Sequence, residues 1–324
     1  MTIDALSPPV IAVVGPTASG KSTLGIELAL RLNGEIINCD SVQVYTDIQI
    51  ATAKVSMTER KGVPHHLIDF LPPNINYTAG EWAREAAVKI DEIEAKHKLP
   101  ILVGGTGFYL RALRRPFFPS PATDQSLRNR LNRIRIQQGP EHLHRLLRRV
   151  DPLAASQLAP RDWPRIQRAI EVRLQTGRSI WSGRAQRPEP HVSTRRLRIF
   201  ALNPPRSQLH ERIDERTEAH FTAGLIDEVA RLLAHGVLPE SNALGAHGYR
   251  RVVEYLQNKR DLSSAIEQTK LDIRHYAKRQ LTWFRHEPDV EWLDGFGEEN
   301  RVLEMVLNAL NEGQRSKPKV SLTS

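Results

Sequence analysis

Residues Val10 to Thr23 read V-I-A-V-V-G-P-T-A-S-G-K-S-T. The apolar, mostly β-branched run Val10 to Val14 suits a strand buried on both faces. The spacing Gly15-x-x-x-x-Gly20-Lys21-Ser22 that follows it is that of a phosphate-binding loop. Gly15 and Gly20 allow a tight backbone turn, so that the loop through Pro16, Thr17, Ala18 and Ser19 can wrap a phosphate. Lys21 brings a positive charge, and the Ser22 hydroxyl is a ligand for Mg²⁺. A helix over Lys21 to Leu32 presents its positive end to the same anion. The loop therefore binds a di- or triphosphate, and by itself it does not say whose.

The rest of the composition narrows the class. A chain of 324 residues with 40% hydrophobic content can bury one α/β core and a smaller second domain. No apolar run approaches the roughly 20 residues needed to span a bilayer, and the amino terminus lacks the marks of a secretion signal. A single cysteine, Cys39, forms no internal disulfide and fits a reducing cytoplasm. It reads as a small core residue.

The net charge of +9 is unevenly placed. Between Phe117 and Thr194 there are fourteen arginines, no lysine and six acids, a local net of +8. Arginine alone favours planar, bidentate recognition of phosphate, so this segment is a candidate nucleic-acid surface. A solvated helical face with arginines paired to their neighbours is the plainer alternative.

Taken in order, the chain reads as an α/β protein. Glu35 to Cys39 is a second strand, ending on Asp40-Ser41. Ligands of open α/β sheets sit beyond the carboxyl ends of strands, so Asp40 should face the bound phosphate. Capping the loop through Val42-Gln43-Val44-Tyr45 is its ordinary alternative role. His66 to Phe70 is expected as a short third strand. His65 and His66, lacking a ligand cluster around them, read as structural. Thr78-Ala79-Gly80-Glu81 is a capping box that opens a helix to about Lys96.

Pro100 to Val103 is the next buried strand. It ends on Gly104-Gly105-Thr106, where nucleotide hydrolases carry a Mg²⁺-holding Asp. That absence argues against routine ATP or GTP hydrolysis, and Thr106 puts a hydroxyl at the rim instead. The two glycines also suit a plain strand-to-helix turn.

A boundary is expected near Pro116 to Pro119. Helices are expected over Asp124 to Gln137, Glu141 to Val150, Pro152 to Gln157 and Asp162 to Thr176, with Arg161, Arg165 and Arg168 on one face. Arg184 to Pro190 reads as a return linker and Leu197 to Leu202 as another buried strand. A long helix over Arg206 to His235 carries Arg212 and Arg216, and Leu262 to Arg285 forms a basic helix. Polar residues beyond Gly313 read as a disordered tail.

Several motifs beyond the phosphate loop resemble the tRNA dimethylallyltransferases. They are G-P-T-A-S-G-K-S at Gly15 to Ser22, D-S-V-Q-V-Y at Asp40 to Tyr45, T-A-K at Thr52 to Lys54 and L-V-G-G-T-G-F-Y at Leu102 to Tyr109. G-Y-R at Gly248 to Arg250 and Y-A-K-R-Q-L-T-W-F-R at Tyr276 to Arg285 follow, so the resemblance covers about Val10 to Gly295. Two features depart from the usual pattern or mark its form. Relatives commonly read G-T-A-K-P where this chain has Ala51-Thr52-Ala53-Lys54-Val55, and no Cys/His zinc module follows the core, as in the bacterial form.

The resemblance implies a phosphate-loop NTPase-like parallel sheet with helices on both faces (residues 1–116 and 195–312) and an all-helical tRNA-binding insert (117–194). It implies transfer of a dimethylallyl group from dimethylallyl diphosphate to N6 of adenosine 37, beside the anticodon. Arg216 matches the family's diphosphate-contacting arginine and Asp40 its general base, with Thr106 orienting the amine or a diphosphate oxygen. Asp40, Ser41, Val42 and Gln43 would read the extruded base. Arg128 and the run Pro164, Arg165, Ile166, Gln167 and Arg168 would hold the anticodon stem. Lys278, Arg279, Gln280, Trp283 and Arg285 would complete the channel. The competing reading is a small-molecule or nucleotide kinase, which explains the loop and Mg²⁺ but neither the missing acid after Val103 nor the arginine-rich segment.

Overall fold

The computed structural model describes residues 8–117, 121–182 and 188–315. The chain divides into two compact units, Met1–Arg114 with His191–Ser324, and Arg115–Pro190.

The first unit begins with β1 (Val10–Val14), whose five residues are all buried, and α1 (Lys21–Leu32). Next come β2 (Gly34–Asn38), β3 (His65–His66), α2 (Ala79–Ala95), β4 (Leu99–Val103) and α3 (Gly107–Arg114). The second unit holds α4 (Gln125–Gln138), α5 (Pro140–Val150), α6 (Pro152–Ala155) and α7 (Trp163–Thr176). The first unit resumes with β5 (Leu197–Leu202), α8 (Arg206–Thr222), α9 (Leu225–Ala234), α10 (Tyr249–Leu256), α11 (Leu262–Arg285), β6 (Val290–Leu293) and α12 (Asn300–Arg315).

All six strands run parallel in the order β3-β2-β4-β1-β5-β6. Strands buried on both faces need apolar cover on each side. Trp82, Ile90 and Ile93 of α2 with Leu110 and Leu113 of α3 cover one face. Leu24 and Leu28 of α1 with Val302 and Val306 of α12 cover the other. Because α1 and α2 lie on opposite faces, a crevice opens beyond the carboxyl ends of β1, β2 and β4, where ligands of such sheets bind. The indole of Trp82 donates to the Asn38 carbonyl at 2.8 Å and so fixes α2 to the end of β2.

Three expected elements differ. The third strand covers only His65 and His66, because Leu67 and Asp69 take left-handed φ of 57° and 56° that end extended pairing. The single helix expected over Arg206 to His235 is two, separated at Gly224, whose φ is 95°. α12 runs through Arg315, two residues past Gly313, and residues 316–324 lie outside those described. The linker expected at Arg184 to Pro190 also lies largely outside them.

In the second unit, Leu131, Leu143, Leu147, Ile166 and Ile170 form a separate apolar core. Among the described residues no helix is long and apolar enough to cross a membrane.

Candidate active site

The phosphate loop leaves β1 at Gly15, whose φ of 136° an L side chain rarely adopts; a Cβ there would lie 3.0 Å from the Leu202 carbonyl. Ser19 Oγ donates to the Pro16 carbonyl at 2.8 Å, closing the turn. Gly20, with φ 83°, starts α1 without a side-chain cap, so the first N–H groups of the helix stay available to an anion. Lys21 Nζ donates to the Pro16 carbonyl at 2.6 Å. Burial pulls the Lys21 amine down to about 8, against the attraction of Asp40.

Two residues distant in sequence lock this loop. The Thr17 amide donates to Gln280 Oε1 at 2.8 Å, and Gln280 Nε2 donates to the Gly105 carbonyl at 3.0 Å. Arg216 Nη2 donates to Thr17 Oγ1 at 2.6 Å, and burial lowers the Arg216 guanidinium below its usual range. Gln280 is 4% exposed, which corrects its expected place among the tRNA contacts. Its side chain is consumed in joining the phosphate loop to the end of β4.

Asp40 follows β2 and takes the capping role. Its Oδ1 accepts from the amides of Val42 (2.9 Å) and Gln43 (3.4 Å), capping the loop. The residue also lines the cavity over the phosphate loop. Thr106 Oγ1 accepts from the Ser41 amide at 3.0 Å and lies 3.3 Å from Ser41 Oγ, tying the ends of β2 and β4 together. The glycines before Thr106 serve close packing. A Cβ at Gly104 would fall 2.1 Å from the Cys39 carbonyl, and one at Gly105 would fall 1.9 Å from Gln280 Nε2. Cys39 itself is buried, and burial pushes its thiol upward. Gln43 Nε2 donates to the carbonyls of Thr52 (3.0 Å) and Ala53 (3.2 Å), and the residue lines the same cavity as Asp40.

Two cavities meet here. One, of about 500 Å³, lies over the loop and is lined by Thr17 to Thr23 with Asp40, Lys54, Arg212, Arg216, Gln280 and Glu298. The other, of about 510 Å³, is lined by Asp40, Ser41, Val42, Tyr45, Asn242, His247 and Tyr276 among others. Thr17, Asp40, Thr52 and Arg216 belong to both. His220 and His247, in the second cavity, are held near 4, chiefly by burial and then by Arg216 and Arg279 respectively, so both are neutral at pH 7. Burial, and then the charge of Asp40, raise the Tyr276 phenol, which hydrogen-bonds Thr106. The sequence reading did not single out Arg212, Glu298, His220 or His247 as site residues. None belongs to a recognisable local motif, and only tertiary packing brings them in.

α11 also borders a third cavity, of about 650 Å³, lined by Arg111, His275, Lys278, Arg279, Thr282, Trp283 and His286. Lys278, Arg279 and Arg285 are exposed, and the Arg111 guanidinium lies 3.9 Å from the Trp283 ring centroid.

In the helical unit, Arg128 and Arg168 converge on Glu171, which is fully buried. Arg128 Nε donates to Glu171 Oε1 at 2.7 Å, and Arg168 Nη1 to Oε2 at 2.9 Å. Arg168 Nη2 also donates to the Pro121 carbonyl at 2.7 Å. Ile166 is 0% exposed, and buried Gln167 donates to the Arg128 carbonyl at 3.0 Å. The run 164–168 therefore offers an outer surface only through exposed Pro164 and Arg165 and the part-exposed Arg168, and Ile166 is corrected to a core residue. Arg161 precedes α7 and pairs with Glu141, and Arg165 pairs with Asp162 at 3.2 Å.

The profile of the IPP transferase family matches residues 43–287. The tRNA dimethylallyltransferase of Solibacter usitatus is 44% identical over 93% of this chain and 97% of its own length. That of Koribacter versatilis is 44% identical over 91% and 96%. The full-length tRNA isopentenylpyrophosphate transferase of Bacillus halodurans superposes with a TM-score of 0.69 at 35% identity, covering 95% of this chain and 99% of that one. A eukaryotic dimethylallyltransferase acting on tRNA superposes with a TM-score of 0.78 at 27% identity, covering 98% and 82%. The sheet, the phosphate loop and these likenesses agree, and the chain belongs to the family of tRNA dimethylallyltransferases.

Proposed function

We propose that this chain transfers a dimethylallyl group from dimethylallyl diphosphate to N6 of adenosine 37 in the anticodon loop of tRNA, in the cytoplasm. The observation that carries the reading is the junction of two cavities at Thr17, Asp40, Thr52 and Arg216. A diphosphate seated on the loop would point its reacting carbon at that junction, and a base in the second cavity would meet it there. The C–O bond to diphosphate breaks as the N6–C bond forms, and diphosphate leaves. Lys21, Arg216 and the open N-terminus of α1 stabilise the charge gathering on the leaving group. Asp40 takes the N6 proton, and the Thr106 hydroxyl, held between Ser41 and Tyr276, orients the amine.

The residues present fit Mg²⁺. The Ser22 hydroxyl, in the cavity over the loop, is a hard oxygen donor, and diphosphate oxygens and water would complete the set that this ion prefers. When bound, the ion neutralises charge on the leaving diphosphate.

Arginines of the helical unit, Arg128, Arg165 and Arg168 among them, hold the anticodon stem by its phosphates, and Lys278, Arg279, Trp283 and Arg285 hold the anticodon loop. The ending of β4 on Gly104-Gly105-Thr106 disfavours the kinase reading. Incubation with radiolabelled dimethylallyl diphosphate and unmodified tRNA, without ATP, tests the assignment. Label in tRNA is expected; unlabelled tRNA, with γ-phosphate transfer to a small acceptor in a parallel incubation with ATP, would replace the reading with the kinase.

A further inference from the structure

Arg212 and Glu298 are among the charged side chains of the phosphate cavity to which the chemistry above gives no role. Arg212 lies one helical turn before Arg216 on α8, so both guanidinium groups leave the same helix face. Arg216 is covered and bonded to Thr17, whereas the Arg212 side chain is 43% exposed. Its Nη1 donates to Glu298 Oε2 at 3.1 Å, and its guanidinium carbon lies 3.7 Å from the Phe296 ring centroid.

Glu298 comes from the turn between β6 and α12, which packs directly on the phosphate loop. The Gly297 amide donates to the Ser19 carbonyl at 2.9 Å, and a Cβ at Gly297 would fall 2.2 Å from the Gly20 carbonyl. Both Glu298 carboxylate oxygens lie within 2.7 Å of where a Cβ at Gly20 would stand. A carboxylate thus rests beside the uncapped N-terminus of α1, in a place suited to any anion.

We propose that Arg212 is a second diphosphate-binding arginine, held on Glu298 until the diphosphate arrives, and that Glu298 lowers the affinity of the phosphate site. The proposal rests on the diphosphate reading given above. A half-exposed ion pair contributes little, so it opens readily. A phosphate oxygen cluster offers more charge than one carboxylate and suits the guanidinium fork equally well. The exchange therefore favours the ligand, while the Phe296 ring supports the guanidinium plane in either position. Glu298 is left beside an anion and opposes it.

Titration calorimetry with dimethylallyl diphosphate and Mg²⁺, without tRNA, tests this on Arg212→Gln, Glu298→Gln and the double variant, each checked for an unchanged melting temperature. Arg212→Gln should weaken binding about tenfold, the scale of one lost hydrogen bond to a charged group. Glu298→Gln should tighten it about threefold or more, because the arginine no longer leaves a charged partner. Arg212→Gln should cost a similar factor when Glu298 is already Gln. Loss of that effect would show that Arg212 merely screens Glu298, and weaker binding by Glu298→Gln would show that the pair only braces the fold; either overturns the proposal. Arg212→Lys keeps charge without the fork and should fall between wild type and Arg212→Gln. Wild-type protein that fails to bind the diphosphate would overturn the functional reading itself, before any substitution is compared.

Discussion

Thr17 and Gln280 are 263 residues apart in the chain and joined by a 2.8 Å hydrogen bond from the Thr17 amide to the Gln280 side chain. The same side chain holds the Gly105 carbonyl, so one amide braces the phosphate loop against the end of β4. Gln280→Ala leaves the Gly105 carbonyl and the Thr17 amide without these partners. We expect a stability loss of about 1–3 kcal/mol, the cost of unsatisfied buried polar groups, together with weaker diphosphate binding. Denaturant unfolding and calorimetry check it. A variant that lost only tRNA affinity would return Gln280 to the nucleic-acid surface.

Asp40 caps its own loop as well as facing the cavity, and the two roles separate chemically. Asp40→Asn keeps an oxygen to accept from Val42 and Gln43 but removes the proton acceptor. Single-turnover transfer should slow by about 10²–10⁴-fold with tRNA affinity unchanged. Asp40→Ala should lose both, with an added fall in stability from the uncapped loop. Wild-type transfer rates in the Asn variant would rule out the general-base role.

The Lys21 amine, drawn down to about 8 by burial, gives the site a pH dependence with a definite sign. A bound diphosphate favours the charged amine, so above pH 8 binding must take up a proton. Affinity for dimethylallyl diphosphate, measured without tRNA, should be level from pH 7 to 8 and then fall by up to about tenfold per pH unit. Lys21→Met should bind more weakly and lose this dependence. An identical slope in the variant would assign the titration elsewhere.

The helical unit offers a contrast between exposed and engaged arginines. Arg165→Ala removes an exposed charge whose partner is one turn away, so stability should hold while tRNA affinity drops. The slope of log affinity against log salt should flatten by about one for each RNA phosphate that the variant leaves unneutralised. Arg128→Ala should also lower tRNA affinity, but it strips one partner from buried Glu171 and so should cost about 1–3 kcal/mol of stability in the unit as well. Filter binding at several salt concentrations and thermal melts separate the two.

The reach of sequence reading follows from these particulars. Val10 to Ser22 announced a strand, a loop and a helix start, because each is a local pattern. Leu262 to Arg285 was read as one basic helix, and α11 has those bounds. β6 and α12 were missed: β6 is a four-residue strand at the sheet edge, and α12 carries the Gly313 that suggested an early end. Within the site, Asp40 and Thr106 follow strand ends and so were visible. Whether an arginine is engaged by a carboxylate depends on what stands opposite it. That information lies in Glu171 and Glu298, far from Arg128 and Arg212 in sequence.

The amide of Gly297 on the carbonyl of Ser19 has a consequence for how the molecule is made. The ribosome completes the phosphate-loop motif well before the walls of that pocket, which arrive with Arg216, Gln280 and Gly297. A nascent chain thus carries the motif long before it carries a pocket, and such distant pairings close slowly. Protein stopped anywhere before Phe296 would keep every letter of the signature and still lack a finished diphosphate seat.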